Sequence, residues 1–116
     1  MTKLAIVGAR KPDISYQDFK TKLEQAISGK FDVVVSGGAV GIDSYAKQYA
    51  VEHDLQFLEY LPDYSKYGRK APVVRNINIA QEADMMIAFP SKNSKGTHDA
   101  VRKMLREGKH VIIVQI

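Results

Sequence analysis

The stretch Ser36-Gly37-Gly38-Ala39-Val40-Gly41-Ile42-Asp43 decides how this chain is read. Ahead of it runs Phe31-Asp32-Val33-Val34-Val35, with the length and β-branching of a buried strand. Behind it, Ile42, Tyr45, Ala46, Tyr49 and Ala50 recur at helical spacing. A strand, a turn with three glycines and a helix start therefore follow one another. The first amides of a helix have no intrahelical acceptor and face outward from such a turn. Glycines let the backbone turn tightly and let another molecule come close, and negative groups, phosphates above all, are favoured at that end of the helix.

Working outward, short and mostly continuous apolar runs lie at Leu4 to Val7, Val33 to Val35, Gln56 to Leu58, Met85 to Phe89 and Val111 to Val114. Runs of this kind suit strands covered on both faces. Between them, helical periodicity links Tyr16, Phe19, Leu23 and Ile27; then Ile42 to Ala50; then Val73, Ile77 and Ala80; then Val101, Met104 and Leu105. Ser15 is placed to cap the first helix and Gly29 to end it, Pro72 suits the first turn of the third, and Gly108 closes the fourth. Five β patterns alternating with four α patterns predict an α/β chain: a Rossmann-like, three-layer fold with a five-stranded parallel sheet, forming a single domain over residues 1–116.

Composition narrows the class. The 116 residues are 45% apolar and include no cysteine, so disulfides and thiolate metal sites are excluded. No apolar run approaches the roughly 20 residues of a spanning helix, and a cytoplasmic protein with no membrane partner is the simplest expectation. Seventeen Lys and Arg against thirteen Asp and Glu leave a formal charge of +4, which alone says little. Position says more. Arg10, Lys11, Lys66, Arg69, Lys70, Lys92 and Lys95 fall in loops that follow strands, where open α/β sheets bind ligands.

Four such loops carry candidate chemistry. Gly8-Ala9-Arg10 makes a sharp turn and offers a guanidinium for a phosphate. In the second loop Asp43 is either a favourable charge at the helix start or an acceptor for ribose hydroxyls or a base. The third, Tyr60 to Ala71, interleaves Tyr60, Tyr64 and Tyr67 with Lys66, Arg69 and Lys70, as a binding loop or lid would. Arg75 and Asn76, a turn into the next helix, are expected to point into the site, since an inward Arg-Asn pair needs a polar partner. The fourth loop sets Gly96-Thr97 at another helix start. Asp99 beside it is a helix-end charge, a hydroxyl acceptor or a catalytic carboxylate, and His98 a surface residue. GxGxxG spacing and the P-loop ending are both missing, which disfavours dehydrogenase and ATPase chemistry, and no cofactor is implied. His53 and His110 lack partners at ligand spacing, so no metal site is expected.

Taken in order, GAR, SGGAVGID, YGRKAPVVRN, the AFP strand end and GTHDAV resemble the SLOG superfamily, and within it the small group called DUF2493 or YspA/YpsA-related. The likeness covers nearly the whole chain. It implies a nucleotide pocket with Gly8, Arg10, Ser36, Gly37, Gly38, Gly41 and Asp43 on one side and Arg75, Asn76, Gly96 and Thr97 on the other. The superfamily also includes the LOG phosphoribohydrolases and the DNA-processing protein DprA. LOG enzymes carry PGGxGT followed by glutamates, whereas here Pro90 to Ala100 reads PSKNSKGTHDA.

Three functions follow as expectations. The first is binding of a nucleotide or nucleotide-derived small molecule, as a sensor. The second is a phosphoribohydrolase in which Arg75 holds phosphate and Asp99 stabilises an oxocarbenium-like centre. The third, ranked last, is single-stranded nucleic-acid binding through the tyrosine-lysine loop. The resemblance also implies a homodimer.

Overall fold

The computed structural model describes residues 2–27 and 29–116. In chain order the elements are β1 (Lys3–Gly8), α1 (Tyr16–Ala26), β2 (Val33–Ser36), α2 (Ile42–Glu52), β3 (Gln56–Glu59), α3 (Tyr64–Tyr67), a 3-10 turn (Gly68–Lys70), α4 (Ala71–Glu82), β4 (Met85–Phe89), α5 (Lys95–Arg106) and β5 (His110–Ile113). All strand pairings are parallel, in the order β3-β2-β1-β4-β5. The chain steps outward from β1 through β2 to β3 and then returns to β4 on the other side of β1. Strand order therefore reverses between β1 and β4, and a crevice opens beyond their carboxyl ends.

Alternation within the central strands divides the core. Leu4, Ile6, Val34, Ile87 and Phe89 face α1 and α2, where they meet Phe19, Leu23, Ile42, Ala46, Tyr49 and Ala50. Ala5, Val7, Val33, Val35, Met86 and Ala88 face α4 and α5, against Ile79, Ala80, Ala83, Ala100, Val101 and Met104. The Phe19 and Phe89 rings pack with centroids 4.9 Å apart. Burying a side chain of this size is worth about 1.5–3 kcal/mol. Tyr49 and Met104 lie in the core, and Tyr45 is half-buried with its hydroxyl donating to the Ile14 carbonyl. No helix among the described residues is long and apolar enough to cross a membrane.

Local signals hold at most helix ends. The Ser15 hydroxyl accepts the Asp18 amide at 3.1 Å, Pro72 sits in the first turn of α4, and Gly108 takes a positive φ just beyond α5. Helix α1 ends earlier than Gly29 would place it, its last turn closed at Ile27. Two expectations need correction. The third loop is not open chain, since Tyr64–Lys70 coils into α3 and the 3-10 turn. The buried face of α4 is also not Val73, Ile77 and Ala80: Val73 and Ile77 are exposed, and Ala71, Arg75, Asn76, Ile79 and Ala80 are buried. Polar residues occupy part of the inward stripe, so apolar periodicity reports the wrong side.

The join of β1 to α2 allows no β-carbon at Gly8, which would lie 2.6 Å from the Phe89 carbonyl oxygen and 2.7 Å from Ile42 Cγ1. A Gly8→Ala variant is expected to lose about 1–3 kcal/mol of stability, read as a lower urea midpoint with an unchanged slope.

Candidate functional site

A cleft of about 620 Å³ opens at the β1/β4 reversal. One wall comes from the loop after β1 (Gly8, Arg10, Lys11) and the start of α2 (Gly37, Ala39, Asp43). The other comes from the loop after β4 and the start of α5 (Ser91, Asn93, Ser94, Lys95, Gly96, Thr97), with Arg75 and Asn76 of α4 between them. Its floor is apolar, made by Val7, Ile79 and Ala100. The two glycine-bearing helix starts thus face a common hollow, which is the arrangement the loop sequences predict.

They do not offer the same thing. At α2, Gly41 has a φ of 82° and docks the helix start on β1, where the Ile42 amide donates to the Ala9 carbonyl at 3.0 Å. A β-carbon on Gly41 would run into the backbone of Ala9 and Arg10; one on Gly38 would meet Leu61 and Glu59; one on Gly37 would meet the Arg75 guanidinium. These glycines make room for the protein's own atoms. An anion is already present as well, because the Ala39 amide donates to Asp43 Oδ2 at 3.1 Å. Ser36 is fully buried, its hydroxyl donating to the Ile6 carbonyl at 3.0 Å, and it does not line the cleft. The start of α5 differs. The Gly96 and Thr97 amides have no acceptor among the described residues, and a β-carbon on Gly96 would meet nothing within 4 Å. Thr97 is 7% exposed, and its hydroxyl has no hydrogen-bond partner among the described residues.

Arg75 and Asn76 join the two walls. The Arg75 guanidinium, 9% exposed, donates from Nη1 to the Gly37 carbonyl at 2.5 Å and from Nε to Asn76 Oδ1 at 3.0 Å, while Nη2 has no acceptor among the described residues. Asn76 donates from Nδ2 to the Gly96 carbonyl at 3.2 Å and to Asp99 Oδ2 at 2.9 Å. Lys103 closes the chain of bonds on Asp99 Oδ1 at 2.5 Å. Burial lowers the Arg75 pKa from its ordinary value and Arg10 adds to this, against the pull of Asp43, but an arginine stays charged. Burial would raise the Asp99 pKa. The hydrogen bonds from Asn76 and Lys103 and the charge of Arg102 outweigh it and hold the group below the usual range.

Eight of the site residues expected from sequence line the cleft: Gly8, Arg10, Gly37, Asp43, Arg75, Asn76, Gly96 and Thr97. Asp99 does not, because its two oxygens are taken by Asn76 and Lys103. Arg69 is exposed on the 3-10 turn and does not line the cleft. Gly38 borders a second hollow of about 280 Å³, lined also by Val40 and Pro62, which shares Arg10, Gly37, Ala39 and Arg75 with the main cleft. Ser94 escaped notice. It accepts the Ser91 amide at 2.8 Å and so shapes the loop before α5, and a serine just ahead of a helix is the signal that marks it. Lys11 and Lys95, legible only as loop cations, line the cleft as well.

Asp43, 6% exposed, has its pKa pushed up to about 6, chiefly by burial and against the Ala39 amide and the Arg75 charge. A folded-state value above the unfolded 3.8 means that this group favours folding most below pH 3.8, and the advantage is lost as pH rises through about 6. The stability difference between the wild type and Asp43→Asn is therefore expected to shift against the wild type by about 3 kcal/mol across that window. Parallel urea titrations from pH 3.5 to 7.5 measure it, and parallel curves would refute the assignment. Among the glycines, Gly37→Ala is expected to destabilise by about 1–3 kcal/mol by displacing Arg75. Gly96→Ala, in open space in the first turn of a helix, should be neutral or stabilise by up to about 1 kcal/mol. Thermal melting separates the two.

Three comparisons bear on this geometry. The family described as DNA recombination-mediator protein A matches residues 1–64. Gene 61 protein of Mycobacterium phage D29 is 36% identical over 86 residues, a match spanning 69% of each chain. The crystal structure of DNA processing protein A from Streptococcus pneumoniae superposes with a TM-score of 0.70 at 22% identity, over 97% of this chain. This chain spans half the length of that structure, and the likeness bears on the fold.

Proposed function

The chain belongs to the DNA recombination-mediator protein A family, and from that premise we propose that its cleft binds a phosphate-sugar unit of a single-stranded nucleic acid. The observation that carries this reading is the convergence, on one hollow, of the Arg10 and Arg75 guanidinium groups with the unused Gly96 and Thr97 amides. Phosphate oxygens suit such a set of donors. Lys11 and Lys95 extend the positive lining. The second hollow continues over Arg10 and Arg75 towards Pro62 and Val40, which gives a chain of nucleotides a path beyond the cleft. Leu61, against Gly38, and Tyr64, near Arg75, are exposed, and a tyrosine ring is a surface on which a base stacks. Family membership moves nucleic acid ahead of a free nucleotide, which sequence alone ranks first. The narrower likeness to the small single-domain group rests on the succession of motifs.

A free nucleotide is the second reading, supported by the size of the cleft, which falls in the range of small-molecule sites, roughly 300–1,000 Å³. The phosphoribohydrolase reading loses support because Asp99, its intended carboxylate, does not line the cleft and is held by Asn76 and Lys103.

Fluorescence anisotropy with a labelled oligothymidylate tests the proposal. With Arg10, Lys11, Arg75 and Lys95 each neutralising a phosphate, log K should fall against log salt with a slope of about −3, and Arg10→Ala and Lys95→Ala should each reduce that slope by about 0.7. Absence of binding, or binding indifferent to both variants, overturns the reading. Thermal stabilisation by mononucleotides without any oligonucleotide affinity would put the second reading in its place.

A further inference from the structure

Among the described residues Asp43 is the one carboxylate that lines the cleft, set among Arg10, Lys11, Arg75 and Lys95. A negative group beside a phosphate site works against binding unless the ligand also brings it a hydrogen-bond donor. The protein leaves that place open. Ala39 serves Oδ2, the Ser36 hydroxyl and the Gly37 amide lie near enough to favour the charged form, and among the described residues no hydrogen bond closes on Oδ1. The Ser36 hydroxyl has only one proton, and it points at the Ile6 carbonyl. Arg75 directs two of its nitrogens to Gly37 and Asn76, and no ion pair closes on Asp43 within 4 Å among the described residues. An ionised carboxylate has about four acceptor positions, and burial without donors is costly.

A phosphate diester has no proton to give. The donor must come from a group bonded to it, and position decides which. Asp43 and Arg75 converge on Gly37: a β-carbon placed there would touch the guanidinium and lie 3.2 Å from Asp43 Oδ2. A phosphate held by Arg75 therefore brings its own sugar to Asp43 before it brings its base. An internal deoxynucleotide has no free sugar hydroxyl, since its 3′ oxygen is esterified. A 3′-terminal nucleotide has one, and a ribonucleotide carries one at every 2′ position.

We propose that Asp43 accepts a free sugar hydroxyl and so makes the cleft select nucleotides that carry one, the 3′ end of a DNA strand or a ribose. This deepens the nucleic-acid reading above and rests on it. Asp43 is then a specificity residue, and the α5 amides with Arg10 and Arg75 hold the phosphate.

The test uses the full chain and labelled oligothymidylates of equal length that end in a 3′-hydroxyl, a 2′,3′-dideoxy sugar, or a ribose lacking only its 3′-hydroxyl. The hydroxyl-ended strand should bind roughly tenfold more tightly than the dideoxy one, the worth of a hydrogen bond to a charged group. Asp43→Asn, which keeps an acceptor for Ala39, should bring that ratio near one, with melting temperature checked to establish folding. Tight binding of the third strand assigns the preference to a 2′-hydroxyl; weak binding assigns it to the 3′ end. Equal affinity of the wild type for all three ends overturns the inference and leaves the proposed function standing. So does a preference that survives Asp43→Asn, or a guanine preference abolished by it, which would put Asp43 on a base edge. No affinity for any strand overturns both.

Discussion

A buried polar pair on α4 sets the shape of the cleft. Arg75 and Asn76 occupy places on the inward stripe of the helix that apolar side chains would otherwise fill, and both are more than nine-tenths buried. Their bonds run in a line from the Gly37 carbonyl, through the guanidinium and the side-chain amide, to the Gly96 carbonyl and Asp99. Removing one member of such a line leaves its neighbours desolvated and unpaired, at about 1–3 kcal/mol each and more for a charge. The separation of the α2 and α5 starts is thus held by directional bonds. Hydrophobic contact, which has no preferred direction, would not hold two loop segments at a set spacing.

This linkage explains why Gly37 has no side chain and why Asp99 is not free. Gly37 gives up its β-carbon to the Arg75 guanidinium. Asp99 anchors Asn76 and is anchored by Lys103, one helical turn on. The same logic reassigns the glycine-rich turn as a whole. Its residues bring α2 onto β1 and admit Arg75, and the positive end of the helix is met by Asp43 from within. The unsatisfied donors of the cleft lie across from it, at Gly96 and Thr97. A sequence that reads as one strong and one weak anion cradle has become one filled and one open.

Much of this was legible beforehand. The strand runs, the α/β alternation and the crevice at the reversal follow from period and spacing, because buried parallel strands are continuously apolar and four of the five helices present a face or a cap to match. Eight of the residues read from sequence as site candidates line the cleft for the same reason: loops after parallel strands share one edge of the sheet. What failed did so where polar groups take apolar positions. Val73 and Ile77 look like the inner face of α4 by apolar period alone, in conflict with an inward Arg75 and Asn76, and it is the polar pair that the fold buries. Tyr64 to Lys70 looks like open loop because four residues of helix and a 3-10 turn are too short to show a period. Whether an acid near a helix start meets a ligand or a neighbour, as with Asp43 and Asp99, depends on partners distant in sequence and has no local signal.

The division between a self-satisfied wall and an open one has a thermodynamic consequence for any anion that enters. The desolvation of Arg75 is met on folding, since burial already lowers its pKa and two nitrogens are already bonded. Little further dehydration or ordering of that side chain is required when a ligand arrives, and Nη2 is presented in a fixed direction. Arg10, Lys11 and Lys95 are exposed and must be drawn in, so they contribute mainly long-range attraction that salt screens. For such an anion the pre-bonded Arg75 and the two free amides would supply the short-range binding, and the exposed cations the long-range attraction. Asp43 opposes the approach of charge at the same spot, and a site that kept it without use would be weaker than one with asparagine. On the proposed reading, a buried acid beside a phosphate-holding Arg75 reads the group to which that phosphate is attached.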